Sequence, residues 1–293
     1  MENKKILVLG SSGFLGRHMV KSLVKNNRVI QFDILPNPLI HSNSLFIQGS
    51  ILDKDLILNA MKGVDIVYHF AAMTDLDIVN NNAAQAIEVN IAGTTNVLDA
   101  CIQHKVDQFT FSSSVYVYST FGGVYKSTKQ ACELLIQDYD KMYNLNYRIL
   151  QLGSVYGPGS KKTNLINRMI TEAMTKKQIK HYGTGQEERK YIFVEDVIKT
   201  IIALADNKFN KKKIILLGNK AIQISKLIDR IASHFKEDIK KIFKKEGYEI
   251  HYQSSPFQKE TNDAIFFELK SPTSLQDGLK QTIQFINEEI SNQ

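Results

Sequence analysis

Ile6-Leu7-Val8-Leu9-Gly10-Ser11-Ser12-Gly13-Phe14-Leu15-Gly16 is the stretch that decides the fold. Its opening apolar run reads as a strand buried on both faces. Glycines then recur at a spacing of three, and Arg17 to Lys25 carries apolar residues at helical intervals. Strand, glycine turn and helix in that order set the helix N-terminus over the strand's carboxyl end. Free amides and the helix dipole favour a pyrophosphate there. A side chain at Gly10 or Gly13 would obstruct close backbone approach, and one at Gly16 would push the helix off the sheet. A plain tight turn is the alternative; the flanking strand and helix favour a nucleotide held by the turn residues Gly10, Ser12, Gly13, Phe14, Leu15 and Gly16.

Outward from this turn, Arg28 to Asp33 reads as a second strand ending in an acid. Asp33 lies ~20 residues past Gly10, where a carboxylate accepts from adenosine ribose hydroxyls in a dinucleotide fold. A turn-forming Asp ahead of Pro36 and Pro38 is the competing reading. An acid here favours NAD, because the 2′-phosphate of NADP would meet a like charge. Phe46 to Asp53 suggests a strand and loop, with Ile51, Leu52 and Asp53 near the adenine, and Leu56 to Met61 a short helix. Val64 to Ala72 is a buried strand whose end, Phe70-Ala71-Ala72, leaves room for a cofactor. Ala83 to Lys105 is a long helical pattern holding Asn90, another cofactor candidate. Gln108 to Phe111 leads into Ser112-Ser113-Ser114.

This alternation predicts an α/β fold, a Rossmann-type doubly wound parallel sheet. Beyond Tyr156-Gly157-Pro158-Gly159 the alternation becomes irregular. The expected organisation is a dinucleotide-binding domain over 1–155, with 195–218 returning to it. A smaller interleaved substrate domain takes 156–194 and 219–293.

The chain has 293 residues, 43% hydrophobic and 23% charged, enough for one large core with a smaller domain attached. No apolar run approaches the ~18 residues that span a bilayer. Met1-Glu2-Asn3-Lys4-Lys5 shows no signal pattern. Cys101 and Cys132 sit in helical patterns, so a reducing cytoplasm is the expected compartment. The net charge of +7 raises the question of nucleic acid. The late lysines, among them Lys236, Lys240, Lys241, Lys244 and Lys245, are interrupted by Glu237, Asp238 and Glu246 and are accompanied by no aromatic-studded basic motif. They read as a solvated surface whose field suits an anionic small substrate.

Tyr125 and Lys129 stand four apart at the start of a helix running to about Tyr143, so both face one side of it. With the glycine turn, Asp33, Asp53, His69 to Ala72, Asn90 to Leu98, the serine run, Val155 to Gly159 and Arg189 to Val197, the chain resembles the extended short-chain dehydrogenase/reductase family. The likeness is to its NAD-dependent nucleotide-sugar epimerase/dehydratase branch. The resemblance implies that Tyr125 removes a hydroxyl proton as hydride leaves the carbon. A phenol with pKa near 10 is about 0.1% ionised at neutrality. An ammonium ~5 Å away contributes roughly 3 kcal/mol at an effective dielectric of ~20. Lys129 is therefore expected to lower the phenol, with the positive nicotinamide supplying the rest. The family register selects Ser114 as the hydroxyl that holds the substrate oxygen, with Ser112 as the alternative. The remaining serines read as strand-end packing.

Relatives that dehydrate or decarboxylate the sugar carry acids just after that hydroxyl; here stand Val115 and Tyr116. The extra cysteine of reductases that also epimerise at C3 and C5 is absent from the serine run. By resemblance the chain is a nucleoside-diphosphate sugar 4-epimerase, with a 4-dehydrogenase or 4-keto-reductase as the alternative and a silent nucleotide-binding protein as the non-enzyme reading. Arg189 is expected to pair with the diphosphate, or else to make a surface ion pair with Glu187 or Glu188. Three departures bear on the sugar pocket: a short 119–124 segment, Gln151 where an Arg is usual, and Lys190 where an Asp is usual. The resemblance also implies a homodimer through helices around 96–104 and 126–142, which carry Val97, Leu98, Cys101, Ile102, Leu134, Leu135, Tyr139 and Met142. It implies no metal.

Overall fold

The computed structural model describes residues 1–36, 38–244 and 264–291, so Lys245 and Glu246 lie outside the described residues. The first part of the chain runs β1 (Lys5–Leu9), α1 (Phe14–Leu23), β2 (Arg28–Asp33), β3 (Ser44–Gln48), α2 (Lys54–Ala60), β4 (Ile66–His69) and α3 (Leu76–Asn81). Next come α4 (Ala83–Ile87), α5 (Gly93–Gln103), β5 (Gln108–Ser114), α6 (Gly123–Tyr143) and β6 (Tyr147–Leu152). The second part runs β7 (Ser154–Tyr156), α7 (Leu165–Lys176), β8 (Gln178–Tyr182), β9 (Glu188–Phe193), α8 (Val194–Ala203) and β10 (Lys212–Leu216). It ends with β11 (Ala221–Gln223), α9 (Ile224–Ala232), β12 (Lys240–Lys244), β13 (Ala264–Phe267) and α10 (Leu275–Ser291).

Eight strands form one sheet in the order β13-β10-β6-β5-β4-β1-β2-β3, parallel throughout. Its central strands are apolar without interruption because both faces are covered. Leu7, Leu9, Val67, Phe109, Phe111 and Ile149 pack with α2, α5 and α6. Their neighbours Ile6, Val8, Ile66, Tyr68 and Leu150 pack with α1 and α8 on the other face. From β1 the chain builds outward through β2 and β3, then returns to β1's other side with β4. That reversal opens a crevice beyond the carboxyl ends of β1 and β4, where open α/β sheets bind ligands. A second core joins α7, α9 and α10 to the small sheet β11-β9-β7 and the pair β12-β8.

Helix α8 packs on the large sheet and β10 pairs with β6 within it. The placement of all of 219–293 in the substrate region needs correction: β13 lies beside β10 as an edge strand of the large sheet, Lys213 opposite Ala264 through Leu216 opposite Phe267. Without it, β10 would present a row of unpaired backbone groups. The long helix expected over 83–105 is interrupted by a π-turn at Glu88–Ala92. Half of the apolar residues assigned to a dimer surface are internal: Val97, Leu98 and Cys101 are fully buried in the chain's own core, and Tyr139 is buried as well. Leu134 and Met142 do remain exposed, joined by Tyr143 and Ile87.

Candidate active site

The glycine turn closes on the end of β4. Gly10 has φ +81, and a Cβ on it would lie 2.7 Å from Ala71 N, so only glycine lets the turn sit against Phe70-Ala71. A Cβ on Gly16 would fall 2.0 Å from Gly10 O, so this glycine sets how closely α1 lies on the turn. The Asp33 carboxylate accepts from Ser12 N and Leu35 N, each at 2.9 Å, which ties the turn to the end of β2. Ser12 spends its hydroxyl hydrogen on Leu35 O. Phe14 and Leu15 begin α1 and pack against the core beneath it. This cradle suits a dinucleotide: a turn no larger side chain could occupy, a free helix N-terminus and an acid at the tip of β2.

The other cofactor candidates fall into two groups. Phe70, Ala71 and Ala72 line the same crevice edge, with Phe70 N bonded to Leu9 O. Asp53 caps α2, accepting from Leu56 N at 3.0 Å. Ile51 is buried, and Asn96 holds the carbonyls of Ile51 and Leu52. Asn90, carried by the π-turn, is fully engaged inside the protein. It accepts from Met73 N at 2.8 Å and donates to Met73 O and Thr128 Oγ1. It thus pins the segment after Ala72 to α6, and π-turns are common at such points. Beneath it, Thr94 gives its hydroxyl hydrogen to Asn90 O at 2.6 Å and can only accept from His69, 3.0 Å away. His69 is therefore the Nε2–H tautomer, and burial, with Lys129 nearby, holds it neutral, down to about 3.

Tyr125 lies in the first turn of α6, which Asn80 supports by accepting from Val124 N. Of the two serines considered, Ser114 is the one whose hydroxyl acts on the Tyr125 phenol. Lys129 is buried; its ammonium donates to Ser112 O at 2.8 Å and lies 4.6 Å from the Phe111 ring and 5.8 Å from the Tyr125 ring. Burial pushes the Tyr125 phenol up to about 12, against the pull of Ser114. Lys129 is pushed down to about 8 by burial, which Cys132 and Glu133 oppose. In the protein alone, burial outweighs the pull of Ser114 on the phenol, and the same burial holds the Lys129 ammonium below its ordinary range.

Ser113 and Gln151 are what sequence reasoning misplaced. Ser113 is more than strand packing: its hydroxyl donates to Glu133, one helical turn past Lys129. Gln151 is fully buried beneath α6 and donates to both Glu133 oxygens at 3.0 and 3.1 Å. Lys190 lies on β9 opposite Ala221, its ammonium 5.8 Å from the Phe266 ring.

Arg189 is buried on β9 and gives one donor to Glu188 O, so the surface ion pair expected as the alternative does not describe it. The Glu187 carboxylate instead closes the Gly183-Thr184-Gly185 turn, accepting from Thr184 N, Thr184 Oγ1 and Gly185 N and facing His181 at 3.1 Å. His18 on α1 meets Pro158 O at 2.9 Å, joining the glycine-turn helix to the Tyr156–Gly159 corner.

The structure thus has a doubly wound sheet with a glycine turn at its switch point and a Tyr, a Lys and a Ser gathered on the same edge, where open α/β sheets bind their ligands. The family model described as "NAD dependent epimerase/dehydratase family" matches residues 6–218, and the chain belongs to that family. It is 28% identical over 233 residues to a dTDP-D-glucose 4,6-dehydratase of Dictyostelium discoideum, covering 67% of this chain and 54% of that protein. The chain thus spans about half the length of that relative. In fold it resembles the UDP-N-acetylglucosamine 4-epimerase from Methanobrevibacter ruminantium M1, solved with UDP-N-acetylmuramic acid. That likeness has a TM-score of 0.89 at 23% identity, over 99% of this chain and 100% of that one. The UDP-glucuronic acid 4-epimerase from Bacillus cereus, solved with UDP-glucuronic acid and NAD, gives 0.86 at 24% identity over 97% and 99%. Among the described residues no helix is long and apolar enough to cross a membrane, and no group of three or more metal-ligating side chains occurs.

Proposed function

We propose that the protein inverts C4 of a nucleoside-diphosphate sugar, as an NAD-dependent 4-epimerase. The observation that carries this reading is the grouping of Tyr125 with Ser114 and the Lys129 ammonium, 5.8 Å from the Tyr125 ring, with Val115 and Tyr116 as the residues that follow Ser114. Val115 turns into the core, and Tyr116 sets its ring against Tyr125, 6.3 Å between centroids. The two positions that carry an acid in dehydrating relatives are therefore filled by apolar or phenolic groups. The Gly10–Gly16 turn and Asp33 would hold NAD, with Ile51, Leu52, Asp53 and Phe70 to Ala72 as its further contacts. When bound, NAD supplies a hydride acceptor and a positive charge. Ser114 would hold the C4 oxygen by a hydrogen bond, and Tyr125 would take the hydroxyl proton as hydride leaves C4 and give it back to the same oxygen once C4 has turned its other face to the returning hydride. Lys129 stabilises the phenolate. Because the phenol stands near 12 without an added cation, this chemistry needs every positive charge the site can gather. Arg189 is assigned to the diphosphate and Asn90 to fixing the segment after Ala72.

The test is incubation with UDP-glucose, UDP-N-acetylglucosamine and UDP-glucuronic acid, following sugar stereochemistry by NMR alongside nicotinamide absorbance. Inverted sugar without net reduction is expected. Steady accumulation of reduced nicotinamide and a keto product, with no inverted sugar, refutes the epimerase. Tyr125→Phe abolishes turnover by at least ~100-fold, the lower range for general acid–base groups, and leaves NAD binding in place. The exposed Leu134, Met142, Tyr143 and Ile87 support a twofold pairing of α4 and α6 with their copies; a monomer in light scattering at micromolar concentration refutes it. The two free, buried thiols, Cys101 and Cys132, suit a reducing cytoplasm.

A further inference from the structure

Three successive residues at the end of β5 each act on a different residue along one face of α6. Ser112 meets Lys129 through its carbonyl and Ser113 meets Glu133 through its hydroxyl, while the Ser114 hydroxyl acts on the Tyr125 phenol. Tyr125, Lys129 and Glu133 succeed one another at four-residue steps, which superimposes them along the helix. The first two belong to the site described above. Glu133 has no role there, yet it is a carboxylate only 5% exposed.

Its partners span the sheet. Gln151 of β6 donates to both carboxylate oxygens, and the Gln151 carbonyl oxygen accepts from Tyr118 at 2.8 Å. Lys213 of β10 brings its ammonium within 3.7 Å of Glu133 Oε2. In the sheet register Gln151 stands opposite both Ser113 and Ile215. One buried anion therefore ties β5, β6 and β10 to α6 directly beneath the site.

We propose that Glu133 is a positioning residue of this site: its carboxylate holds the Ser112–Ser114 strand end against α6 and keeps a negative charge one helical turn from the Lys129 ammonium. Gln151 contributes hydrogen bonds without charge, so Lys213 is the cation that balances Glu133 across the sheet. The titratable groups around the carboxylate are Lys129 and Cys132 on α6 and Lys213 on β10; beyond Lys129 stand Tyr125 and His69 of β4. The geometry makes Glu133 and Lys213 opposing controls on one ammonium.

The experiment uses the full-length protein labelled with 15N-lysine, with the Lys129 resonance assigned from its loss in Lys129→Met. Glu133→Gln keeps the size of the side chain and removes its charge. The Lys129 titration midpoint then falls by about one to two pH units, the range for a unit charge ~6 Å away at an effective dielectric of ~20, part-balanced by Lys213. Lys213→Met leaves Glu133 unbalanced and moves the midpoint upward. Glu133→Asp keeps the charge and holds the midpoint near that of the unmodified protein. An unmoved midpoint in Glu133→Gln overturns the proposal. If that variant does not fold, an unmoved or lowered midpoint in Lys213→Met overturns it instead. The inference rests on the reading of Tyr125 and Lys129 as the reactive pair. That reading fails if Tyr125→Phe turns over UDP-sugars as the unmodified enzyme does, whereas this proposal fails on the titration alone.

Discussion

Gly16→Ala tests whether the glycine turn and α1 are packed to the limit their backbones allow. The added Cβ would sit 2.0 Å from Gly10 O and 2.8 Å from Gly10 C, whereas ordinary contact begins at 3.4 Å. Relief therefore requires α1 to move by ~1.4 Å, the difference between 3.4 and 2.0 Å. Neither partner can rotate away, since both are main chain. Moving α1 also disturbs Met19, Val20 and Leu23, which it buries, and the His18 bond to Pro158 O. Overpacking of this kind costs about 1–3 kcal/mol. At about 2–4 °C per kcal/mol for a chain of this size, Tm falls by roughly 4–8 °C for a loss of ~2 kcal/mol. The same displacement carries the α1 amides away from the pyrophosphate. Loss of one charge-assisted hydrogen bond, ~1.5–3 kcal/mol, weakens NAD binding at least ~10-fold. Thermal melts without cofactor and calorimetric titration with NAD measure the two effects separately. Gly13→Ala is the comparison, because its Cβ would lie 3.1 Å from Gly10 O and needs a far smaller shift. Equal Tm and NAD affinity in Gly16→Ala and the unmodified protein would refute the packing argument. So would a larger loss of Tm in Gly13→Ala.

Three further outcomes are expected. Lys129→Met abolishes turnover but melts no lower than the unmodified protein at pH 7. Burial holds Lys129 down at about 8 against an ordinary 10.5, so between those values the unfolded chain binds more protons there and the Lys129 contribution to stability rises with pH. The Tm advantage of the variant therefore shrinks from pH 7 to pH 10; an advantage that grows with pH contradicts the assignment. Asp33→Ala narrows the preference for NAD over NADP, measured by paired cofactor titrations, and equal affinity of the unmodified protein for both cofactors would sink the idea. Arg189→Ala weakens UDP-sugar binding by at least ~10-fold, as expected for a lost bond between charged groups, with NAD affinity unchanged; an unaltered UDP-sugar affinity removes Arg189 from the site.

What could be read in the sequence was local. The strand, glycine turn and first helix lie within residues 5–23, and a Tyr and Lys four apart share a helix face in any context. The structure adds the contacts between distant segments. Nothing in the neighbourhood of Gln151 says that it faces Glu133 rather than a sugar, because that depends on the β5–β6 register and the seating of α6. The π-turn at Asn90 was hidden for a related reason. Glu88 to Ala92 has ordinary helical composition, and the wider turn is fixed by bonds to Met73 and Thr128 rather than by its own residues. Lys129 shows the limit of pairwise charge reasoning: the sequence supplies the cation, but only the fold shows how thoroughly it is desolvated. β13 was missed because four residues with two exposed side chains carry too little pattern to mark an edge strand.

That edge strand also bears on how the chain is made. Strand β10 follows its neighbour β6 in the chain, but β13, its neighbour on the other side, begins only at Ala264. On a ribosome adding ~5–20 residues per second, the interval between the two strands lasts several seconds. Throughout it, Ile214-Ile215-Leu216 presents an unpaired apolar edge, the kind of template that pairs with a neighbouring nascent chain. Lys212, the exposed first residue of β10, sets a charge at the start of that run, a gatekeeper of the kind that blunts an open strand edge.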